Sequence, residues 1–291
     1  TLGLSSDNAE LLVNETPSIP NQTVSVCSEV AFNYTISNGI PTVATVVPAN
    51  TTYVWPAPVV TGGMTGGTAG SKQTSINQTL DNPTNLPQTA TYFITPTSGT
   101  SGSCIGSSFT LVVTVNPKPY INNITAAFCS DENFSFTPIN GSGNIVPVGT
   151  TYSWGIPIVT GGMTGGSAGI NQASINQTLN NATNNNQTAS YTVTATSGTC
   201  AASTFSVILT IHPKPTVAGS ILSQPICSGD SITSILISNP NLISGTVDYS
   251  WTRDNTINTT GMPDNGFGNT ISGNLSNTSN IPETTVFTLW A

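Results

Sequence analysis

Charged residues are scarce in this 291-residue chain. They make up 5% of it, and four basic residues face twelve acidic ones, for a net charge of −8. A typical soluble domain is about 25% charged. Nucleic-acid binding needs clustered Lys and Arg, and an anionic membrane surface would repel an acidic chain. No apolar run approaches the roughly 20 residues that span a bilayer. We therefore expect neither nucleic acid nor membrane insertion among its partners.

Groups for catalysis and metal binding are equally sparse. The only histidine, His212, precedes a proline, and no CxxC pair occurs. Nucleophilic catalysis of the Ser-His-Asp type needs a positioned base, and zinc sites need grouped Cys and His. We therefore expect no enzyme, no catalytic residues and no cofactor. Calcium at the turn Asp264-Asn265-Gly266 is the one alternative that the sequence leaves open.

Internal repetition is the strongest signal that is present. A Cys-Ser pair and a Tyr-x-Trp triplet each recur with a period near 100 residues, which suits a β-sandwich domain and is too long for a solenoid repeat. The first two copies also share TGGMTGG (61–67 and 160–166), SINQTL (75–80 and 174–179) and a closing Pro-Lys-Pro. The copies of the two markers are Cys27, Cys129 and Cys227, and Tyr53/Trp55, Tyr152/Trp154 and Tyr249/Trp251.

Each copy consists of short segments with the sequence pattern of β-strands. Phe32-Tyr34-Ile36 and Leu111-Val113-Val115 alternate with polar residues, and Gly, Pro and Asn bound such runs. The Tyr and Trp of each triplet are two apart, so they face the same way on a strand. We predict an all-β chain of tandem Ig-like or PKD-like β-sandwich domains arranged as a rod. The three Tyr-Trp pairs are predicted to lie in the cores, with carbohydrate stacking as their alternative role.

The repeats divide the chain into four parts. Residues 18–119, 120–215 and 216–291 are repeats 1, 2 and 3, and residues 1–17 are predicted to be the final strand of a preceding or neighbouring domain. Proline-rich joints favour an extended, semi-rigid geometry. The predicted joints are Pro117, Lys118 and Pro119, and Pro213, Lys214 and Pro215.

The cysteines indicate export to an oxidising compartment. Cys104 and Cys200 occupy the same place in their repeats, just before the last strand. We therefore predict the bridges Cys27–Cys104 and Cys129–Cys200 within the repeats. Cys227 has no such partner, so it is either a lone thiol or bridged to residues outside this chain.

Repeat 3 is predicted to be incomplete without a last strand. Its TTVFTLWA (284–291) matches TATYFITP (89–96), whereas ELLVNETP (10–17) matches the closing strands LVVTVNPKP (111–119) and ILTIHPKP (208–215). Leu11, Leu12 and Val13 would then form an inter-subunit or continuation strand. The partners would be copies of the chain, head to tail as in donor-strand filaments, or further repeats of one long polypeptide. A remnant of an upstream domain is the third alternative.

These motifs together resemble the PKD-like repeats of very large bacterial surface adhesins, including the SprB-type gliding adhesins. The resemblance covers residues 18–215 well and 216–291 in part. It implies type IX secretion, an extracellular location at the cell surface, and a filament or stalk that serves adhesion or gliding motility. The alternative function is that of carbohydrate-binding accessory modules of a secreted protein, with surface glycans as partners. That function would need an exposed aromatic platform in one copy only, and Trp290 is the one unrepeated tryptophan.

Overall fold

The computed structural model describes residues 9–99 and 103–291, and every regular element in them is a β-strand. The predicted all-β class of tandem sandwich domains is confirmed. The described part of the chain contains no helix of the length and hydropathy that a bilayer crossing requires. Residues 1–8 of the predicted preceding strand lie outside the described residues.

Repeats 1 and 2 have the same eight strands in the same order. In repeat 1 they are β1 (Gln22–Cys27), β2 (Ala31–Tyr34), β3 (Thr52–Trp55), β4 (Val59–Val60), β5 (Gly70–Gln73), β6 (Ile76–Thr79), β7 (Gln88–Thr97) and β8 (Phe109–Asn116). In repeat 2 they are β9 (Ile124–Cys129), β10 (Asn133–Phe136), β11 (Thr151–Trp154), β12 (Ile158–Val159), β13 (Gly169–Gln172), β14 (Ile175–Thr178), β15 (Gln187–Thr196) and β16 (Ser203–His212).

Each of these repeats is a large sheet opposed to a two-stranded one. The large sheet of repeat 1 has the order β1-β8-β7-β3-β5, with β4 also on β7, and β2 pairs with β6 in the small sheet. Repeat 2 repeats this arrangement with β9 to β16. The pairs β1–β8 and β9–β16 are parallel, whereas their neighbours are antiparallel. The first and last strands of a repeat therefore run side by side toward the joint with the next repeat.

Period-two alternation builds the core. Along β8 the residues Leu111, Val113 and Val115 are fully buried, and Val112 and Thr114 between them face outward. The neighbouring strand β7 of the same sheet buries Tyr92 and Ile94 in the same way. Alternation of this kind places one face of a strand on the core and the other in solvent. The buried side chains form three separate clusters, one in each repeat.

Repeat 3 is more fragmented. Its strands are β17 (Ala218–Gly219), β18 (Ile235–Ser238), β19 (Ser250–Arg253), β20 (Thr259–Thr260), β21 (Asn265–Phe267), β22 (Thr270–Ile271), β23 (Ser276–Asn277) and β24 (Phe287–Trp290). The sheet β21-β19-β24 corresponds to β5-β3-β7 of repeat 1 and ends at β24. Residues 221–227, which correspond to β1, form no strand. The predicted incompleteness of residues 216–291 stays a prediction.

Two buried tyrosine hydroxyls stand out in the cores of repeats 1 and 2. The hydroxyl oxygens of Tyr92 and Tyr191 have no hydrogen-bond partner among the described residues. Burial raises the pKa of each phenol to about 12. Phe287 occupies the matching position in repeat 3, because its strand aligns with β7 through the register of β3 and β19. The hydroxyl is therefore not needed for the fold.

We expect Tyr92→Phe to leave the free energy of unfolding of repeat 1 unchanged or to raise it by up to about 1 kcal/mol. Removal of a buried, unpaired polar group removes its desolvation cost. Chemical denaturation of Tyr92→Phe and Tyr191→Phe beside the wild-type chain measures the change. A loss of more than about 1 kcal/mol would show that the hydroxyl has a partner that stabilises the fold.

The same tyrosines predict alkaline destabilisation. Burial raises the pKa of Tyr53, Tyr92 and Tyr191 to about 12, above the 10.0 of an exposed phenol. The folded state therefore binds more protons than the unfolded state between these values, and stability falls as pH rises from about 10 to about 12. Denaturation midpoints across this range should fall, and the Tyr92→Phe/Tyr191→Phe chain should lose less than the wild type.

Candidate functional site

The joint-facing end of each repeat is fixed by one hydrogen-bonded unit. In repeat 1 Ser28 Oγ accepts a hydrogen bond from Asn82 N (2.9 Å), and Asn82 Nδ2 donates to the carbonyl of Val115 at the end of β8 (2.9 Å). Ser130, Asn181 and the Ile211 carbonyl repeat these bonds in repeat 2. Each Cys-Ser pair is thereby held beside the end of the last strand of its own repeat.

The disulfide of the structure joins two repeats. Cys27 of repeat 1 is bonded to Cys200 of repeat 2, with Cα atoms 5.4 Å apart and a sequence separation of 173. The predicted pairs Cys27–Cys104 and Cys129–Cys200 are therefore wrong. Cys104, Cys129 and Cys227 carry no disulfide within the part of the chain that the structure describes.

Strand direction explains this correction. Because β1 and β8 are parallel, Cys27 lies opposite Asn116, at the end of β8. Cys104 comes before the start of β8, at the other end of the sandwich. The eight residues of β8 span about 26 Å at 3.3 Å per residue, whereas the Cα atoms of a disulfide lie within about 7 Å. A bridge inside one repeat is thus excluded, and the β15–β16 hairpin of the next repeat brings Cys200 to Cys27.

The predicted joints are packed segments. Pro117, Pro119 and Pro213 are buried, Lys118 and Pro215 are half-buried, and Lys214 is exposed. At the first joint Lys118 Nζ lies 2.7 Å from Glu29 Oε2. The Lys118 side chain is 33% exposed and that of Glu29 is 58% exposed, so solvent screens this ion pair and it contributes at most about 1 kcal/mol. The disulfide and the buried prolines, more than the ion pair, hold the two repeats together.

The Tyr-x-Trp side chains lie where the sequence places them, with one exception. Tyr53, Trp55, Tyr152, Trp154 and Trp251 are buried, whereas Tyr249 is half-buried against the core of repeat 3. Trp55 Nε1 and Trp154 Nε1 donate to the Thr68 and Ser167 carbonyls, both at 2.9 Å. Trp251 Nε1 has no such acceptor among the described residues.

A glycine lies against each of these indole rings. A Cβ added at Gly169 would come within 2.4 Å of the Trp154 ring, and Gly70 and Gly266 are equally close to theirs. We expect Gly169→Ala to lower the free energy of unfolding of repeat 2 by about 1–3 kcal/mol, the usual cost of overpacking a core. Gly155→Ala is the matched control, because its Cβ would meet no atom within 4 Å. Thermal denaturation of the two variants decides; equal midpoints would contradict the close packing.

A groove of about 790 Å³ opens along repeat 3 where a last strand would lie. Residues 221–227 form one wall of the groove and β24 forms the other. Phe287 and Leu289 of β24 line the groove and pack against the core of repeat 3. In repeats 1 and 2 the strands β8 and β16 fill this position. Asn277 Nδ2 donates to the Ile281 carbonyl (2.7 Å). Asn82 Nδ2 also donates to the Val115 carbonyl on the last strand of repeat 1. Among the described residues Asn277 makes no corresponding bond to a last strand.

The N-terminal segment is oriented like a closing strand. Cys104 Sγ lies 3.9 Å from the Asn14 carbonyl oxygen, and Cys200 Sγ lies 4.0 Å from the Asn116 carbonyl oxygen. Residues 14–17 thus enter repeat 1 as residues 116–119 enter repeat 2. Leu11, Leu12 and Val13 lie outside any strand and are 88%, 73% and 81% exposed. Their predicted role as a continuation strand stays a prediction.

Arg253 is a site that the sequence analysis missed. Its side chain is 3% exposed and donates to the carbonyls of Pro263, Thr259 and Met262 at 2.8–2.9 Å. Asp264 Oδ1 accepts from Arg253 Nη2 at 2.8 Å. The carboxylate of the predicted calcium turn is therefore engaged by an arginine. The described residues hold no group of three or more Asp, Glu, His or Cys placed for a metal, and calcium binding there stays a prediction.

One exposed face of repeat 3 carries aromatic side chains that the other copies lack. Ser250 on β19 lies opposite Phe267 on β21 and Trp290 on β24. Phe267 is 88% exposed and Trp290 is 45% exposed. Strands in a sheet are about 4.8 Å apart, so the two aromatic positions are roughly 10 Å apart across Ser250. In repeat 2 the positions of Ser250 and Trp290 belong to Ser153 and Thr194 on β11 and β15. The position of Phe267 belongs to Ile170, which follows the Trp154-contacting Gly169 as Phe267 follows Gly266.

A family model described as a PKD-like domain matches residues 24–119 and 126–215. Among curated proteins none matches the chain. Human CDH23 EC21-23 is 16% identical, with 92% of this chain and 91% of that chain covered and a TM-score of 0.31. Three N-terminal domains of the outer capsid protein Hoc of bacteriophage RB49 are 15% identical, with 94% and 96% covered and a TM-score of 0.38. Likeness at these values carries no information on function.

Proposed function

Because the chain belongs to the family of PKD-like domains, we propose that it is a structural segment of an extracellular filament or adhesin stalk. Tandem domains of the Ig-like and PKD-like type are typical of extracellular, adhesion-type proteins and typically have no catalytic activity. The disulfide supports an oxidising location outside the cytosol. On a bacterial surface, such a stalk would serve adhesion or gliding after type IX secretion.

The observation that carries this proposal is the bridge between Cys27 and Cys200. A disulfide inside a domain stabilises that domain, whereas this one ties consecutive repeats to each other end to end. Covalent coupling of neighbours has its use where a tandem array bears tension along its length. A binding module that works alone gains nothing from it.

The open groove of repeat 3 offers a site through which copies of the chain could assemble. We propose that a strand of the pattern found in residues 10–17 fills it, inserted between residues 221–227 and β24. In the alignment with β8, Leu11 and Val13 correspond to Val113 and Val115, which are fully buried. The inserted strand would complete the sheet by backbone hydrogen bonds and the core by its alternate side chains. A head-to-tail contact of this kind extends without closing.

Electron microscopy and light scattering of the purified 291-residue chain test this assembly. We expect filaments or open oligomers under reducing conditions, since the strand contact needs no disulfide. A Leu11→Asp/Val13→Asp chain should stay monomeric, because both charges would enter the core. Leu12→Asp, on the outward face, is the matched control and should still assemble. A wild-type chain that stays monomeric at high concentration would contradict filament formation through this groove.

The aromatic face of repeat 3 favours a second candidate function, the binding of glycans. Phe267 and Trp290 present apolar ring faces beside the hydroxyl of Ser250, an arrangement suited to a short stretch of sugar rings. Binding to a panel of soluble polysaccharides, compared between wild type and Phe267→Ala, tests it. Phe93→Ala is the control, since Phe93 is an aromatic residue of repeat 1 that is 50% exposed and lies outside this face. Equal binding by all three chains would exclude the platform.

A further inference from the structure

We infer that Cys104 takes a second inter-repeat disulfide, and that its partner is Cys227 of another copy of this chain. The inference rests on the proposed function, since it needs the strand of residues 10–17 to complete repeat 3 of the neighbouring copy. It names the covalent bond that would then join the two copies. The structure supports it through three independent features.

The first feature is the equivalence of Cys104 and Cys200. Both sulfur atoms lie about 4 Å from the carbonyl oxygen of an asparagine that ends a closing-strand sequence, Asn14 or Asn116. Both precede the last strand of their repeat. Cys200 is bonded in this position to the cysteine that ends the first strand of the preceding repeat. Cys104 is therefore placed to bond a cysteine that ends the first strand of a repeat and lies beside Asn14.

The second feature is the register that delivers such a cysteine. Cys27 lies opposite Asn116 and Cys129 lies opposite His212 in the parallel pairs of repeats 1 and 2. The sequence match of residues 10–17 with 111–119 and 208–215 places Asn14 at this same register position. A repeat completed by residues 10–17 would thus hold its own Cys-Ser cysteine opposite Asn14. For repeat 3 that cysteine is Cys227.

The third feature is that Cys227 is already held at the correct end of repeat 3. Ser228 Oγ accepts a hydrogen bond from Asn277 N at 2.9 Å, as Ser28 and Ser130 do from Asn82 and Asn181. Gly229 N donates to the Leu275 carbonyl at 2.8 Å, as Glu29 N does to Leu80. The thiol of Cys227 is exposed and borders the open groove. Its position does not depend on the missing strand.

Bond formation needs an oxidant, and a small-molecule disulfide such as oxidised glutathione supplies it. The Cys227 thiolate attacks this disulfide, forms a mixed disulfide and releases one glutathione thiolate. The Cys104 thiolate of the next copy then attacks the sulfur of Cys227 and releases the second thiolate. Two protons and two electrons leave the protein thiols, and the electrons reduce one molecule of oxidised glutathione to two thiols.

Cys129 provides a built-in control for specificity. It is exposed and belongs to the same type as Cys27 and Cys227. Its register position is opposite His212, at the joint of repeats 2 and 3, and not beside Asn14. In a head-to-tail assembly of this chain, Cys129 therefore lies far from every Cys104 and should remain a thiol.

The test is oxidation of the assembled chain with glutathione buffer, followed by non-reducing gel electrophoresis and mass spectrometry of linked peptides. We expect a ladder with steps of about 30 kDa and a peptide pair that links Cys104 to Cys227. Cys104→Ser and Cys227→Ser should each abolish the ladder, and Cys129→Ser should leave it. A mixture of Cys104→Ser and Cys227→Ser chains should stop at dimers, since each copy then offers one end.

Other linkages would overturn the inference. These are Cys104–Cys104, Cys104–Cys129, or thiols that stay free in assembled chains. If Cys104 is linked within one chain to a Cys-Ser cysteine outside these 291 residues, the native polypeptide is longer than this chain. That linkage would also overturn the choice of a second copy as the partner. Filaments of Cys104→Ser under reducing conditions separate the two proposals: if they form while wild-type Cys104 stays unlinked, the strand contact holds and the disulfide fails.

Discussion

Reduction of the Cys27–Cys200 bridge is expected to lengthen the fully stretched chain by roughly 600 Å. The bridge encloses the residues between positions 27 and 200, and an extended residue spans at most about 3.6 Å. In the oxidised chain, a force applied to the two ends passes from Cys27 through the sulfur atoms to Cys200. The enclosed residues, which include most of repeats 1 and 2, are then outside the path of the load. Single-molecule force spectroscopy with and without reductant measures the difference.

Single substitutions sharpen this experiment. Cys27→Ser and Cys200→Ser should each give the long extension without reductant, because either removes the bridge. Cys129→Ser should keep the short one. The pairing that the sequence suggested, Cys27–Cys104 with Cys129–Cys200, would give a different pattern, since Cys27→Ser would then release only the residues between Cys27 and Cys104, and Cys129→Ser would also lengthen the chain. Equal contour lengths for oxidised and reduced wild type would show that Cys27 and Cys200 are not joined.

The same bridge also links the thermodynamics of the two repeats. A closed loop of this length lowers the entropy of the unfolded chain by an amount worth about 5 kcal/mol in the loop-closure estimate. Because the loop contains parts of both repeats, neither repeat can reach the conformational entropy of an unlinked unfolded chain while the bridge persists. The disulfide therefore acts on the array and not on one domain.

The sequence predicts the repeats well because the signals that define them are local. Alternation along residues 111–115 requires a strand with one buried face, and the structure has β8 there. The Tyr-x-Trp triplets fall on β3 and β11, with Trp55 and Trp154 on the inward side. Period-two patterns and the recurrence of whole motifs need no knowledge of distant contacts.

The disulfide pairing could not be predicted in this way, because it depends on strand direction. If β1 and β8 were antiparallel, Cys27 would lie near the start of β8 and close to Cys104. The pair is parallel, and Cys27 lies at the opposite end. Neither spacing nor composition in one repeat distinguishes the two arrangements. Only the parallel register reveals that bridges must cross between repeats.

Arg253 shows a second limit. An isolated arginine two residues after a tryptophan resembles a surface residue in the sequence, since charged side chains are seldom buried. In the structure it is surrounded by carbonyl groups of the loop that follows, where repeats 1 and 2 have the TGGMTGG turn. Met262 corresponds to Met64 and Met163, and all three are buried. The motif that repeat 3 lacks is thus replaced by a hydrogen-bonded arginine, with the core methionine kept.

A large gain in the stability of repeat 3 is expected from filling its groove. A synthetic peptide of residues 9–17 should bind the 291-residue chain carrying Leu11→Asp/Val13→Asp, which cannot complete itself through its neighbours. The peptide would cover Phe287 and Leu289 and bury its own Leu11 and Val13, at about 1.5–3 kcal/mol for each buried side chain. At a concentration 100 times its dissociation constant, it would stabilise repeat 3 by about 2.7 kcal/mol.

Such a stabilisation raises the melting temperature of a domain of this size by roughly 10 °C or more. Differential scanning calorimetry should show one transition that moves with peptide concentration, while those of repeats 1 and 2 stay fixed. A peptide with Leu11→Asp and Val13→Asp should have no effect, and one with Leu12→Asp should act like the original because Leu12 faces outward in the β8 register. If the Leu12→Asp peptide fails and the peptide with Leu11→Asp and Val13→Asp binds, the strand enters the groove shifted by one residue. Asn14 would then no longer lie opposite Cys227.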